Sequence, residues 1–279
     1  TSKTTSSGTV TIPGSGFSTT FTVTPGNVTK VILPAIDVTN LTNNTITNQA
    51  IHVVSNNPVS VFAATWHQYR TEASIVLPTP ALGSEYIIST KPSETAANYC
   101  EFVVVATTNS CTIELSSPVT IPGTPFIANT PWQISLNSGE SYQIQAKGTG
   151  LDLTGTTIRA VNNSDIFAVY SGHRFIKIIT TNRDPLFEVE YPTASWGKEY
   201  ILTPIKKVLY SLYNVMALEP ATEILVDGLV VDTLNTGEIY DGTLSTVKVI
   251  SSCKPIKVMQ FIPSSQLSPK LDVGSTYGA

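Results

Sequence analysis

A short motif that contains a glycine turn occurs three times in this chain, and this repetition constrains the fold more than any single residue. The clearest copies are residues 136–142 (LNSGESY) and 234–240 (LNTGEIY), and residues 24–30 (TPGNVTK) form a weaker third copy. Successive copies of this turn motif lie roughly 100 residues apart, which is the size of a small domain. The spacing indicates duplicated modules.

A second motif, in which apolar residues alternate with polar ones, follows the turn motif in every copy. It occupies residues 51–61, 158–168 and 247–258. Because apolar residues two positions apart stand on one face of a strand, each copy predicts two strands around a polar turn with one buried face. This alternating motif therefore predicts the same hairpin in three modules.

A third motif marks where one module passes to the next. Residues 77–87 (LPTPALGSEYI) and 191–201 (YPTASWGKEYI) both run from proline into Gly-x-Glu-Tyr-Ile, as a linker that enters a strand does. This Gly-Tyr motif predicts three modules, at residues 1–77, 78–190 and 191–279. The third module has no matching exit, so either the parent protein continues or the exit strand docks elsewhere.

The remaining sequence has the pattern of strands and turns. Runs rich in Val, Ile, Thr and Tyr alternate with Gly, Pro, Asn and Ser, and helix signals are nearly absent. Two further hairpins are predicted, one from residues 101–107 and 111–115 and one from residues 133–136 and 141–145. The sequence predicts an all-β fold of three tandem related antiparallel modules that are sandwich-like, with a β-propeller as the alternative.

Composition and charge restrict the partners. Hydrophobic residues make up 41% of the chain and charged residues 13%, and the net charge is −4 with a pI near 5.4. Because this balance provides no basic surface to neutralise phosphates, a nucleic-acid partner is not expected. No run of 18 apolar residues occurs, so no membrane span is expected. This composition is typical of an extracellular or cell-surface β protein.

The three cysteines leave two alternatives open. Cys100, Cys111 and Cys253 cannot all pair with one another, and none stands in a spacing that binds metal, so no metal site or cofactor is predicted. Cys100 and Cys111 flank a predicted hairpin. They could form a disulfide there, or both could be buried free thiols.

Four Asn-x-Ser/Thr sequons are candidate glycosylation sites in a secretory setting. They weakly favour an extracellular location, because a sequence rich in Thr and Asn also produces sequons by chance. The candidate sites are Asn27, Asn40, Asn43 and Asn162.

A candidate ligand surface follows two copies of the alternating motif. Residues 66–70 (WHQYR) and 172–175 (GHRF) stand at nearly equivalent positions in their modules and combine aromatic, basic and imidazole side chains. If the modules pack around a pseudo-threefold axis, these segments converge on one surface. The alternative is that they only cover the open ends of sandwiches. The candidate ligand-binding residues are Trp66, His67, Tyr69, Arg70, His173 and Arg174.

No arrangement of residues indicates catalysis. There is no Gly-x-Ser-x-Gly nucleophile turn, and no His-Asp partner can be assigned to a serine. Glu188 and Glu190 could suggest glycosidase carboxylates, but residues two apart in a strand are expected to share the solvent face. The sequence therefore predicts a protein that is not an enzyme.

Several motifs together resemble the amino-terminal domain of IgG Fc-binding proteins, over a stretch from about residue 51 to residue 262. The resemblance implies an extracellular, non-enzymatic module with a binding or adhesive role, found in mucin-associated animal proteins and bacterial surface proteins. Where relatives have a disulfide, this chain has His173-Arg174 and residues 183–186 (RDPL) instead. The motifs that carry the resemblance are residues 51–61, 77–86, 151–156 (LDLTGT), 169–172 (VYSG) and 196–200 (WGKEY).

Three functions are compatible with these features. The first is a non-catalytic extracellular or cell-surface binding or adhesion module of a larger protein, with a protein or glycan ligand. The first alternative is a structural subunit that self-associates into a surface fibre or layer by β-strand addition. The second alternative is a carbohydrate-binding protein, which would use Trp66 and Tyr69.

Overall fold

The computed structural model describes residues 1–35, 42–67, 70–179, 182–206 and 208–263, and for residues 67 and 70 it describes only the backbone. Within these ranges the chain forms twenty β-strands and two short 3-10 helical turns. The prediction of an all-β fold is confirmed. The described part of the chain contains no helix with the length and hydrophobicity of a membrane span.

The amino-terminal region contains two small antiparallel sheets. In the first, β1 lies between β2 and β4 and buries Val10 and Ile12. The second is the hairpin of β5 and β6, in which Trp66 pairs with Thr71. The strands of this region are β1 (Ser6–Ile12), β2 (Phe17–Val23), β3 (Thr45–Thr47), β4 (His52–Ser55), β5 (Val61–His67) and β6 (Arg70–Val76).

The middle region is a sandwich of two four-stranded antiparallel sheets, ordered β10-β9-β12-β7 and β11-β8-β13-β14. Buried residues of β8, such as Phe102 and Val104, join Ile113 and Leu115 of β9 in one core, because each strand turns alternate side chains inward. The strands are β7 (Glu85–Ile87), β8 (Cys100–Ala106), β9 (Cys111–Ser116), β10 (Trp132–Leu136), β11 (Ser141–Gln145), β12 (Thr157–Ala160), β13 (Phe167–Ile176) and β14 (Asp184–Val189).

The carboxyl-terminal region is a six-stranded antiparallel sheet around a second core. The long strand β20 organises it. Its first half pairs with β15 and β17, so that Ile250 lies between Tyr200 and Val226, and its second half pairs with β16. The strands are β15 (Gly197–Leu202), β16 (Ser211–Ala217), β17 (Thr222–Val226), β18 (Leu229–Leu234), β19 (Ile239–Leu244) and β20 (Lys248–Phe261).

The carboxyl-terminal region repeats the middle region strand by strand. Strands β15, β16, β17, β18 and β19 take the places of β7, β8, β9, β10 and β11, and β20 takes the places of both β12 and β13. Strand β14 has no counterpart among the residues that the structure describes. The division of the chain at residues 78 and 191 stays a prediction.

The predicted hairpins are wrong, because the turns between these strands cross from one sheet to the other. Strands β8 and β9 lie in opposite sheets, as do β10 and β11, and as do β12 and β13 of the alternating motif. In the third copy of that motif the two halves form the single strand β20, and in the first copy β4 and β5 lie in separate sheets. Alternation predicts which residues are buried, but a hairpin and a crossing turn bury the same alternate residues.

The turn motif makes the same local hydrogen bond in both clear copies, each of which joins two strands that are not paired with each other. The Glu140 carboxylate accepts a hydrogen bond from the Asn137 N–H at 2.6 Å, and Glu238 does the same for Asn235 at 2.7 Å. Gly237 has a φ of 76°, and a Cβ on it would lie 3.0 Å from the Cα of Gly155 in the middle region. Glycine is therefore required both by the turn and by the contact between regions.

The Gly-Tyr motif makes the same pair of tyrosine hydrogen bonds in the middle and in the carboxyl-terminal region. The Tyr86 hydroxyl accepts a hydrogen bond from the Gly83 N–H at 2.8 Å and donates one to the Phe167 carbonyl at 2.7 Å. Tyr200 bonds to Gly197 and Ile256 in the same way, at 2.8 and 2.9 Å. The 3-10 turns that precede the motif are Thr79–Ala81 and Thr193–Ser195.

A buried ion pair joins the middle and carboxyl-terminal regions. The Lys257 ammonium lies 2.7 Å from a carboxylate oxygen of Glu190 and donates to the Ile87 carbonyl at 2.7 Å. The other Glu190 oxygen accepts hydrogen bonds from the Ser89 N–H at 3.0 Å and the Ser171 hydroxyl at 2.7 Å. The expectation that Glu190 faces solvent is wrong, because a second region covers it.

The two cysteines of the middle region are free thiols. Cys100 begins β8 in one sheet and Cys111 begins β9 in the other, and both are buried. Burial raises the pKa of both thiols. Of the two alternatives, the structure contains the free thiols and not the disulfide, because the turn between the strands crosses the sandwich. Cys253 is free and exposed.

Candidate functional site

The hairpin of β5 and β6 carries two strongly exposed aromatic side chains, one of which is the predicted site residue Trp66. Trp66 is 82% exposed and Phe62 is 65% exposed. Because they are four residues apart in β5, their side chains stand on the same face of the strand, with the exposed Ala64 between them. We call these three residues the aromatic surface.

Strand β6 anchors this hairpin to the sandwich. The buried Ser74 hydroxyl donates to the Glu188 carboxylate at 2.6 Å and accepts a hydrogen bond from the Val189 N–H at 2.9 Å. Strand β6 therefore lies beside β14, and β5 is the outer strand of the hairpin. Among the described residues, no strand other than β6 pairs with β5. The aromatic surface thus lies next to an open strand edge.

Trp66 is also the exposed member of the three tryptophans. The Trp132 ring packs between Phe126 and Tyr142, with ring centroids 5.8 and 5.6 Å apart. Trp196 is buried, and its indole N–H donates to the Tyr191 carbonyl at 3.2 Å. Trp66 lacks such a covering within the described part of the chain, which marks its ring as available to a ligand.

The remaining predicted site residues lie in different environments. His173 is only 1% exposed, and burial lowers its pKa, so the ring is neutral at pH 7. Arg174 is exposed, donates to the Ala97 carbonyl at 3.3 Å and lies over the Tyr99 ring at 5.8 Å. His67 and Arg70 are described by their backbone, which pairs at the end of the hairpin, and Tyr69 lies outside the described residues.

Of the three predicted residues whose side chains the structure describes, Trp66 and Arg174 are exposed and His173 is buried. Among the described side chains, no hydrogen bond or ring contact joins Trp66 to His173 or Arg174. His173 belongs to the interior, where its Nδ1 accepts a hydrogen bond from the Phe175 N–H at 3.1 Å. Trp66 and Arg174 remain candidates for separate contacts with a ligand.

The four predicted glycosylation sites also differ. Asn27 and Asn162 are exposed, whereas the Asn43 side-chain oxygen accepts a hydrogen bond from the Gln145 N–H at 2.8 Å. Asn40 lies outside the described residues. Modification at all four stays a prediction.

Sequence reasoning missed a groove of about 200 Å³ beside the hairpin, between β6, β14 and the end of β20. Glu72 reaches into it from β6. One of its oxygens accepts a hydrogen bond from the Ala73 N–H at 3.2 Å, and the other is buried and has no hydrogen-bond partner among the residues that the structure describes. Lining residues from the other strands are Leu186, Phe187, Glu188, Met259 and Phe261.

The pKa of Glu72 is raised from 4.5 to about 7, mainly by burial and to a smaller extent by the nearby carboxylates of Glu188 and Asp184. The folded state therefore binds the proton more tightly than the unfolded state. The stabilisation is full below about pH 4.5 and is lost as the pH rises through 7.

Replacing Glu72 by Gln should remove the loss of folding stability that occurs as the pH rises. Because the side chain is partly screened by solvent, we expect Glu72→Gln to be more stable than the wild type by about 1–2 kcal/mol at pH 8 and similar to it at pH 5. Urea unfolding followed by circular dichroism at both pH values measures the difference. Glu199→Gln, at an exposed position of β15, is the control. An equal difference at both pH values would contradict burial as the cause.

The fold defines an all-β protein in which the carboxyl-terminal region repeats the strand order of the middle region. Among the described residues, no group of three or more His, Cys, Asp or Glu side chains is placed to hold a metal ion.

Comparison with known proteins identifies the family. The chain belongs to the IgGFc-binding protein family, because the model of that family, described as "IgGFc binding protein", matches residues 72–278. The human (Homo sapiens) IgGFc-binding protein is 30% identical over 199 residues, which cover 70% of this chain. The chain spans only 4% of the length of that relative. No solved structure matches the chain. The family predicted from the repeated motifs is confirmed.

Proposed function

We propose that this chain is a non-catalytic, extracellular binding module of a larger secreted or surface protein, and that it binds a protein ligand through the aromatic surface. The observation that carries the proposal is the exposure of Trp66, at 82%, on an outer strand. Exposed tryptophans with few covering contacts are frequent anchors of protein interfaces, because their burial removes a large apolar area from water.

The open edge of β5 supports the same ligand class. The edge of β5 that faces away from β6 pairs with no strand of the described residues, so a strand of a protein ligand can add to it while Phe62 and Trp66 contact the side chains of that strand. The name of the human relative makes the Fc fragment of immunoglobulin G the first ligand to test.

Replacing Trp66 by Ala should weaken Fc binding about 30-fold, which corresponds to about 2 kcal/mol for the loss of an aromatic anchor. Surface plasmon resonance with immobilised Fc fragment measures the affinity. Ile127→Ala, at an exposed apolar residue of the middle region, should bind like the wild type. Equal affinities for Trp66→Ala and the wild type would exclude the aromatic surface as the binding site.

Binding to deglycosylated Fc distinguishes a protein ligand from a glycan ligand. If the ligand is protein, removal of the Fc glycan leaves the affinity unchanged, since the contacts are made to the polypeptide. If binding is lost with the glycan, the chain is a carbohydrate-binding protein that uses the same tryptophan ring.

A second candidate function is self-association into a fibre or layer, and a specific observation supports it. Strand β18 is an edge strand whose first three residues are apolar and exposed, with Leu229 at 73%. The equivalent edge strand β10 exposes the polar residues Gln133 and Ser135 instead. An edge strand with three consecutive exposed apolar residues and no Lys or Pro favours pairing with the same edge of another copy.

The substitution Val230→Lys should abolish this association, because a charge on the paired strand must be desolvated. Sedimentation velocity at increasing protein concentration should show oligomers of the wild type and monomers of Val230→Lys. Ser135→Lys places the same charge on β10 and should leave the oligomers intact. A wild type that stays monomeric at all concentrations would remove this candidate.

A further inference from the structure

One edge of β20 is open where the equivalent edge in the middle region is covered. Strand β13 and the second half of β20 occupy equivalent places, since β13 pairs with β8 and β20 pairs with β16, the counterpart of β8. In this correspondence Ser171, which pairs with Phe102, is equivalent to Gln260, which pairs with Tyr213. In the middle region β14 covers the other edge of β13, with Ser171 opposite Glu188. Among the described residues, no strand covers the corresponding edge of β20 beyond Ile256.

The open edge is apolar on the side that faces the middle region. Phe261 is buried in a cluster with Ile176 and Ile178, and Met259 packs against the same cluster. Met259 and Phe261 also line the groove of about 200 Å³ that contains Glu72. A strand placed at this edge would therefore pair its backbone with β20 and close one side of the groove.

The chain contains a segment whose sequence matches the strand that covers β13. Residues 269–273 (PKLDV) repeat the pattern of residues 185–189 (PLFEV) in β14: proline first, an acid in fourth place, and apolar residues in third and fifth place. The connection between equivalent positions is shorter but still long enough for an antiparallel return, because Phe187 follows Gly172 by 15 residues and Leu271 follows Phe261 by 10 residues.

We propose that the open edge of β20 is the docking site of residues 269–273 of the same chain, which pair with it in antiparallel orientation. The register of β13 and β14 places Val273 opposite Met259 and Asp272 opposite Gln260. Leu271 then stands opposite Phe261, on the side that faces the groove. The short connection favours the chain's own segment over a second copy, because closing a short loop costs little entropy.

A cysteine pair tests the register directly. In a Cys253→Ser background, Gln260→Cys with Asp272→Cys places two thiols on directly opposed residues, within reach of a disulfide. Gln260→Cys with Leu271→Cys is the control, because residue 271 points to the other face of the strand. After mild oxidation, non-reducing peptide mass spectrometry should show at least tenfold more intramolecular disulfide in the first pair than in the control. Equal yields in both pairs, no disulfide, or a disulfide between two chains would overturn the proposal.

Hydrogen exchange on the full chain provides a second measurement without new cysteines. Leu271→Pro should increase the amide exchange of the peptide that covers residues 256–262 about tenfold, because a proline prevents strand pairing. Thr276→Pro, outside the proposed strand, should leave that exchange unchanged. Equal exchange in the wild type and Leu271→Pro would overturn the proposal. Neither experiment uses the Fc ligand, so failure here and failure of the proposed function are distinguishable.

Discussion

Replacing Lys257 by Met should lower the free energy of unfolding by about 3–5 kcal/mol, because it leaves the carboxylate of Glu190 buried without its cation. Lys257 is 7% exposed and Glu190 is 2% exposed, so water cannot replace the lost partner. The Trp196 ring, 5.2 Å from the ammonium, adds a cation–π contact that the variant also loses. Urea unfolding followed by circular dichroism measures the change.

Two further variants identify the cause of this loss. Arg159→Met breaks the exposed ion pair with Glu114 and should cost less than about 1 kcal/mol, since exposed pairs contribute little. The double variant Lys257→Met with Glu190→Gln removes both charges and should recover part of the loss, because no charge is then left buried and the amide oxygen can still accept hydrogen bonds from Ser89 and Ser171. A double variant as unstable as Lys257→Met alone would show that packing, and not the unpaired charge, is responsible.

Removing the hydroxyl of Tyr86 should cost about 3 kcal/mol, since Tyr86→Phe leaves the Gly83 N–H and the Phe167 carbonyl without their shared partner. Tyr86 is fully buried, and burial raises its pKa to about 12. The ring of Phe, unlike that of Tyr, cannot join these two backbone groups. The midpoint of urea unfolding should fall while the far-ultraviolet spectrum of the folded state stays the same.

Tyr200→Phe is the matched control, because Tyr200 makes the same two hydrogen bonds at the equivalent corner. Tyr200 is half-buried, so water can reach the groups that lose their partner, and we expect a smaller cost of about 1 kcal/mol. Equal costs at the two corners would contradict burial as the reason for the difference.

The sequence was sufficient to predict the strands and the interior, because alternation determines which side chains turn inward. Strand β8, for example, alternates without exception between buried and half-buried residues. The repeated motifs also indicated recurring structures, which the structure identifies as a crossing turn at Asn137–Glu140 and a tyrosine corner at Tyr86. Which sheet each strand joins was not predictable, because the period of two is the same for a hairpin and for a crossing turn.

The candidate site was less predictable than the fold, since its properties depend on residues far apart in the chain. The aromatic ring of Trp66 is visible in the sequence, whereas its exposure follows from the outer position of β5. His173 has the same kind of sequence context but lies inside, because it stands on the same face of β13 as the core residues Phe167 and Val169. The environment of Glu72 depends on strands β6, β14 and β20 together, and no local pattern reports it.

The crossing turns have a consequence for how the chain reaches this structure. When consecutive strands lie in opposite sheets, each strand must find neighbours that are distant in sequence, such as β13 for β8 and β20 for β16. Such non-local pairing gives a high contact order, and domains of this kind fold in milliseconds to seconds instead of microseconds. During that interval the apolar faces are open to other copies. For this topology, misassembly is therefore favoured mainly during folding, while strands have not yet paired with their distant partners.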